Sequence, residues 1–169
     1  KILMSEDKNP NTRGVMQLAG TLAPKPIASL LDAVKAGKYS FVIALGSELE
    51  VDEKEALNVL SKLKGLVTIA AHDGPLVRAA HVVLPATAWA EADGTYVNRQ
   101  GLAQRSEPAL KPRGDATPGW DLVTQVGTKL GYAMTFKTLG DVRRAITAET
   151  RDTTGTRTDA DRAKPEVSA

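Results

Sequence analysis

The sequence predicts an α/β fold: a parallel sheet with flanking helices, followed by a β-hairpin excursion and C-terminal helices. Three observations carry this. Apolar runs at residues 41–45, 66–70 and 82–84 are rich in β-branched and aliphatic side chains and apolar on both faces, as strands buried in a parallel sheet are. Segments with helical spacing separate them, and alternation of this kind implies right-handed crossovers. Two glycines downstream, Gly94 after Asp93 and Gly101, turn the chain at residues 93–104 and mark a hairpin outside that sheet.

Residues 1–25 form a lead-in segment. Asn9-Pro10-Asn11, Gly14, Gly20 and Pro24 surround a short apolar stretch at 15–19 that allows one helical turn. Ile27, Leu30, Leu31 and Val34 then recur on one helical face, and Gly37 stands where a C-terminal cap belongs. The strand at 41–45 ends in Gly46-Ser47. Asp52 is placed to cap the next helix, with Glu53 and Glu55 in its first turn and Leu57, Leu60 and Leu63 on its apolar face. Gly65 is expected to stop that helix before the strand at 66–70. A helical turn at 76–79 leads to the strand at 82–84, which Pro85 ends because proline cannot donate to a ladder. Ala88 to Glu91 can make one helical turn, and Asp93-Gly94 reverses the chain into Thr95-Tyr96-Val97. Gly101 separates that strand from residues 102–105. Thr117 is expected to cap the following helix with Pro118 in its first turn, Trp120, Val123, Val126 and Leu130 facing inward, and Gly131 as its end. Leu139, Val142 and Ile146 mark a last short helix. The α/β domain thus spans residues 26–148, and residues 149–169, poor in large aliphatic side chains, form a tail expected to be disordered.

Composition excludes several classes. With 22 basic and 20 acidic side chains the formal charge is +2, so no field draws nucleic acid or an anionic membrane toward the chain. No apolar run approaches the roughly 20 residues that span a bilayer. There is no cysteine, which rules out thiolate ligation of iron–sulfur clusters or zinc by these residues. The two histidines, His72 and His81, have no second histidine or cysteine nearby and predict no metal site. Phosphate-loop, dinucleotide-fingerprint and nucleophile-elbow motifs are missing. The chain opens on Lys1 rather than methionine and is expected to be a piece of a longer protein.

The string HVVLPATAWAEADGTYVNRQGLAQ at residues 81–104 carries a resemblance. Val82 to Ala86, Glu91, Asp93 to Thr95, Asn98, Gly101 and Gln104 resemble the C-terminal part of the molybdopterin oxidoreductase family, as do Pro108, Pro112, Gly114, Pro118 and Trp120 downstream and the strand at 41–47 upstream. About residues 11–148 are covered. Within the family, residues 130–146 look most like the large iron–sulfur subunit of respiratory complex I, the NADH:quinone oxidoreductase; formate dehydrogenases and nitrate reductases form the other branch. The resemblance implies a Rossmann-like half of a molybdopterin oxidoreductase domain. It also implies candidate cofactor-binding residues, should a pterin be bound: Gly46, Ser47 and His72 at the ends of strands, and Asn98, Arg99 and Gln104 in the hairpin. Three positions depart from the family pattern. His81 replaces an aspartate, Gln100 a glutamate and Leu102 an arginine, and leucine cannot pair with a phosphate as arginine does.

The residues also have plain structural readings. His81 at a strand start is expected to hydrogen-bond backbone or solvent, and Glu91 with Asp93 flanks a turn rather than forming an acid–base pair. The expectation is a non-catalytic α/β domain of a complex I-type large iron–sulfur subunit with no cofactor of its own. Its iron–sulfur clusters would lie in N-terminal domains outside this sequence, and its partners would be the other subunits of a respiratory complex. It would sit peripherally on the cytoplasmic side of a bacterial inner membrane or in the cytoplasm, without inserting. The alternative is the domain that holds molybdopterin guanine dinucleotide in an enzyme such as a formate dehydrogenase.

Overall fold

A computed structural model describes residues 11–19, 24–49, 51–98 and 100–154. The elements are α1 (Thr12–Ala19), α2 (Ile27–Lys35), β1 (Phe41–Leu45), α3 (Glu53–Leu60), β2 (Gly65–Ala70), α4 (Pro75–Ala79), β3 (Val82–Pro85), β4 (Gly94–Val97), β5 (Ala103–Ser106), α5 (Gly119–Lys129) and α6 (Leu139–Thr154). The chain divides into two compact units, one holding α2 to β3 with α5, the other α1, the β4–β5 pair and α6. Among the described residues no helix is long and apolar enough to cross a membrane.

The first unit is built on a three-stranded parallel sheet in the order β1-β2-β3. Phe41 lies opposite Gly65, Leu45 opposite Ile69, and Ala70 opposite Pro85. The α/β architecture with its parallel sheet is therefore as expected. β2 runs down the middle and is the most buried strand; Leu66 keeps 1% of its surface and Thr68 none. The Thr68 hydroxyl donates to the Leu76 carbonyl at 3.3 Å, which is how a polar side chain is tolerated there.

Alternation along the strands separates two faces. On one, Leu31, Val34, Ala56, Val59, Leu60, Leu63, Leu66 and Leu76 form the core beneath α2, α3 and α4, with Val42 and Ala44 packed against it. Burying each of the leucines is worth roughly 1.5–3 kcal/mol. Asp52 starts α3 as expected, accepting from the Glu55 amide at 2.8 Å. Gly37 follows the C-terminus of α2 at φ +70, donating its amide to Val34 O. On the other face Ile43 and Ile69 meet Val123, Val126 and Leu130 of α5, with Tyr132 and Met134, around an apolar cavity of about 190 Å³.

Three local expectations are corrected. α3 ends at Leu60, with Ser61 as its cap, so Gly65 is the first residue of β2 and not the helix stop. There the Phe41 ring covers Gly65 so closely that a Cβ would lie 2.5 Å from it. Thr117 does not cap α5. Its backbone bridges to the end of β3 instead, donating to Pro85 O and accepting from the Thr87 amide, both at 3.1 Å, and Pro118 becomes the extended residue before the helix. In α5 the buried residues are Leu122 and Thr124, whereas Val123 is 38% and Leu130 63% exposed, because the groove they line is open.

In the second unit β4 and β5 pair antiparallel, with Gly94 opposite Ser106 and Val97 opposite Ala103, which is the expected hairpin excursion. Two strands alone are marginal in water. Here the edge of β4 is tied to the residue before α1: Asn11 Nδ2 donates to Thr95 O at 3.2 Å, and Asn11 Oδ1 accepts from the Val97 amide at 2.8 Å. From α6, Arg143 donates to Gly94 O at 3.2 Å. Thr138 and Asp141 cap that helix reciprocally, Thr138 N donating to Asp141 Oδ2 at 2.7 Å and Asp141 N to Thr138 Oγ1 at 3.2 Å. α6 continues to Thr154, into the first residues of the expected tail. The rest of that tail, and residues 1–10 and 20–23 of the lead-in, lie outside the described residues.

Candidate functional site

Parallel strands deliver their carboxyl ends to one rim of the sheet, where ligands of such folds bind. Three corners meet that description: Gly46-Ser47-Glu48 after β1, His72-Asp73-Gly74 after β2, and Ala86-Thr87 after β3. Gly46 has φ +107, a conformation that side chains disfavour, and its amide extends the ladder to Ile69 O at 2.9 Å. That turn drives Ser47 inward, where it is buried, against Gly74. A Cβ on Gly74 would lie 2.6 Å from Ser47 O, so the two corners approach as closely as backbones can.

The polar groups at this rim are largely committed to each other. Ser47 O accepts from the Leu76 amide in the first turn of α4 at 3.0 Å, Pro75 has no N–H, and the Gly74 amide donates to Asp73 Oδ1 at 2.9 Å. The Ser47 hydroxyl donates to Glu48 Oε1 at 3.3 Å. Arg78 grips Asp73 Oδ2 through Nε at 3.2 Å and Nη2 at 2.8 Å. The Arg78 guanidinium beside it holds the Asp73 carboxyl below its usual value and is itself raised by that carboxylate. His72 is exposed at the same corner. Gly46, Ser47 and His72 are thus brought to one rim, as the strand pattern implied. Glu48 and Arg78 were missed, since the strand-end reading stopped at Gly46-Ser47 and Arg78 lies inside α4; the Asp-Gly-Pro string at 73–75 was the available sign of a tight helix start.

Asn98 and Gln104 belong to the other unit. Asn98 closes its own turn: Oδ1 accepts from the Gln100 amide at 2.9 Å and the Leu102 amide at 3.0 Å, while its backbone amide donates to Leu102 O. Gln104 is exposed in β5 and opposite Tyr96. Arg99 lies outside the described residues. Glu91 accepts from the Ala88 amide at 3.0 Å and so closes the 3-10 turn at Trp89–Glu91, the plain reading of that carboxylate. His81 likewise bonds backbone, its Nδ1 accepting from the Leu66 amide at 3.1 Å while its own amide donates to Leu66 O.

Those facts test an anionic dinucleotide against the residues present. A pyrophosphate needs unspent amides and cations. The described rim presents the carboxylates of Glu48 and Asp73 and one arginine already paired with Asp73, the Gly46, Gly74, Leu76 and Thr87 amides are bonded to neighbours, and the Asn98 amide oxygen is spent within its turn. The described residues do not fit such a group. Nor, among them, do three or more His, Asp or Glu side chains gather where they could hold a metal ion.

A sheet of this kind with a hairpin excursion defines the class, and comparison with known proteins defines the family. A model of the molybdopterin oxidoreductase family matches residues 9–129, and the chain belongs to that family. It is 32% identical over 116 residues to the putative formate dehydrogenase YrhE of Bacillus subtilis, covering 67% of this chain and 12% of that protein. To the alpha subunit of the F420-dependent formate dehydrogenase of Methanocaldococcus jannaschii it is 33% identical over 106 residues, 60% of this chain and 16% of the relative. To the mitochondrial NADH dehydrogenase [ubiquinone] iron-sulfur protein 1 of Solanum tuberosum it is 37% identical over 67 residues, 40% of this chain and 9% of the relative. The chain therefore spans a small part of each of these relatives.

Proposed function

We propose that this chain is a non-catalytic α/β domain of the large subunit of a multi-subunit oxidoreductase, of the complex I type, acting as scaffold for electron transfer carried out in other domains. The carrying observation is the closed rim, where Ser47 O occupies the Leu76 amide and Arg78 is spent on Asp73. The hairpin adds to this, since Leu102 stands exposed where the family pattern has an arginine and Asn98 is consumed by its own turn. The plant relative, named as an iron–sulfur protein of NADH dehydrogenase, supports the same branch. On this reading the iron–sulfur clusters and the neighbouring subunits lie outside the chain, and the protein is peripheral to a membrane.

A second reading is favoured by a different observation. The relatives named as formate dehydrogenases match over 116 and 106 residues, against 67 for the plant subunit. There the domain would hold molybdopterin guanine dinucleotide with Gly46, Ser47, His72, Asn98, Arg99 and Gln104. Metal analysis of the purified full-length protein separates the two. The scaffold reading expects iron without molybdenum or tungsten; near-stoichiometric molybdenum or tungsten, released together with a pterin on denaturation, would sink it in favour of the second.

A further inference from the structure

Among the described residues, nothing covers one apolar face of β1. Phe41, Ile43 and Leu45 alternate onto the α5 side of the sheet and are 68%, 46% and 70% exposed, although Val42 and Ala44 between them pack into the core. The groove they border continues this character: Leu130 and Tyr132 are 63% and 68% exposed. Parallel strands are normally covered on both faces, and free edges of soluble sheets carry charges as guards. β1 reads Phe-Val-Ile-Ala-Leu and carries none.

Spacing says what is missing. Strands lie about 4.8 Å apart and packed helices 8–10 Å, so one helix covers about two strands. Among the described residues the core face has α2, α3 and α4 for its three strands, whereas the opposite face has α5, which packs on β2. A second helix fits beside α5, over β1. The relatives hold the matching stretch within far longer polypeptides, of which it covers 12%, 16% and 9%, so covalently linked chain is at hand to supply it.

We propose that Phe41, Ile43, Leu45, Leu130 and Tyr132 form the seat of an amphipathic helix belonging to another segment of the same polypeptide, laid next to α5 across β1. This rests on the reading of the chain as one domain of a larger subunit. Its occupant is recognised by an apolar stripe at i, i+3, i+4 and i+7, which fills the open groove. β1 is then an interior strand of a larger unit.

The test uses the purified full-length protein. Phe41→p-benzoylphenylalanine is photo-activated and the crosslinked peptide sequenced by mass spectrometry, while Leu45→Cys and the exposed control Lys111→Cys are labelled with a maleimide and followed at their own peptides. The expected result is a crosslink within one polypeptide to an amphipathic segment, with position 45 labelled at least about tenfold more slowly than position 111, since a covered thiol is inaccessible. A crosslink to a second copy or to another subunit overturns the proposal, as does equal labelling at the two positions or protection without an internal crosslink. If intact mass shows the polypeptide to be no longer than this chain, the larger-subunit reading has failed instead, which the crosslinking result alone would not reveal.

Discussion

Asp73 binds two things at once, the Gly74 amide through one oxygen and the Arg78 guanidinium through the other, and so sets the corner from which α4 leaves β2. The arginine keeps its carboxyl below the ordinary carboxylate value. A group depressed in the folded state contributes stability that is full above its unfolded value, about 3.9, and is lost as pH falls through the folded value. The pair is exposed, so its worth is small and screened by salt. Asp73→Asn should therefore lower the melting temperature slightly at neutral pH and low salt, and the gap to the natural protein should close on acidification and in high salt. Thermal melts of the two proteins across pH check this; a gap that widens in acid would show that Asp73 acts otherwise. His81 illustrates the same economy of polar groups. The family pattern carries aspartate there, and the histidine Nδ1 accepts the Leu66 amide as a carboxylate oxygen could.

Elements differ in how much of them the sequence reveals, and the difference follows the range of the forces involved. The strands at 41–45, 66–70 and 82–84 and the Asp52 cap were legible because each depends on neighbours a few residues away. Asn11 was not, since it bonds strand residues 84 and 86 positions downstream and no local pattern points there. In α5 the apolar spacing singled out Val123 and Leu130, yet burial depends on what covers the groove, which periodicity cannot see. At the rim, Gly46, Ser47 and His72 were readable as strand ends, whereas the Asp73–Arg78 grip and the packing of Gly74 on Ser47 are products of three-dimensional closure. Gly14 in α1 gives a test at this scale. Helix propensity alone makes Gly→Ala favourable by up to about 1 kcal/mol. In α1, however, a Cβ at position 14 would stand 2.4 Å from Asn11 Oδ1 and 3.1 Å from Val97 Cγ2. Asn11 would have to swing away and release β4, so Gly14→Ala should destabilise by about 1–3 kcal/mol, the usual cost of overpacking. Gly119→Ala, at a helix start with nothing within 4 Å, should be neutral or mildly stabilising. Calorimetric melts compare them; equal effects at the two sites would mean that Asn11 yields at no cost.

Across the whole molecule, stability should be graded according to where ladders and core coincide. β2 has parallel partners on both edges, buried side chains along its length and Thr68 wholly enclosed, and it rests on the largest group of buried residues. Its amides can exchange only when that core opens. β4 and β5 are two strands with Thr95, Ala103, Gln104 and Arg105 exposed, and their support comes from the Asn11 bonds and from the Arg143 bond to Gly94. Arg143 is a weak prop, because among the described residues its buried Nε meets no acceptor and Ser106 Oγ no partner, and a buried group left so costs about 1–3 kcal/mol of desolvation. Local opening there breaks few contacts, so it should occur at a free energy well below that of the core. Hydrogen exchange of the intact protein, followed by peptide mass spectrometry, should find β2 amides slowest of all and β4–β5 amides exchanging sooner, while Asn11→Ala speeds exchange in β4–β5 and leaves β2 unchanged. The grading idea fails if β4–β5 is protected as strongly as β2. It also fails if Asn11→Ala accelerates both alike, since the hairpin would then open only when the parallel sheet does.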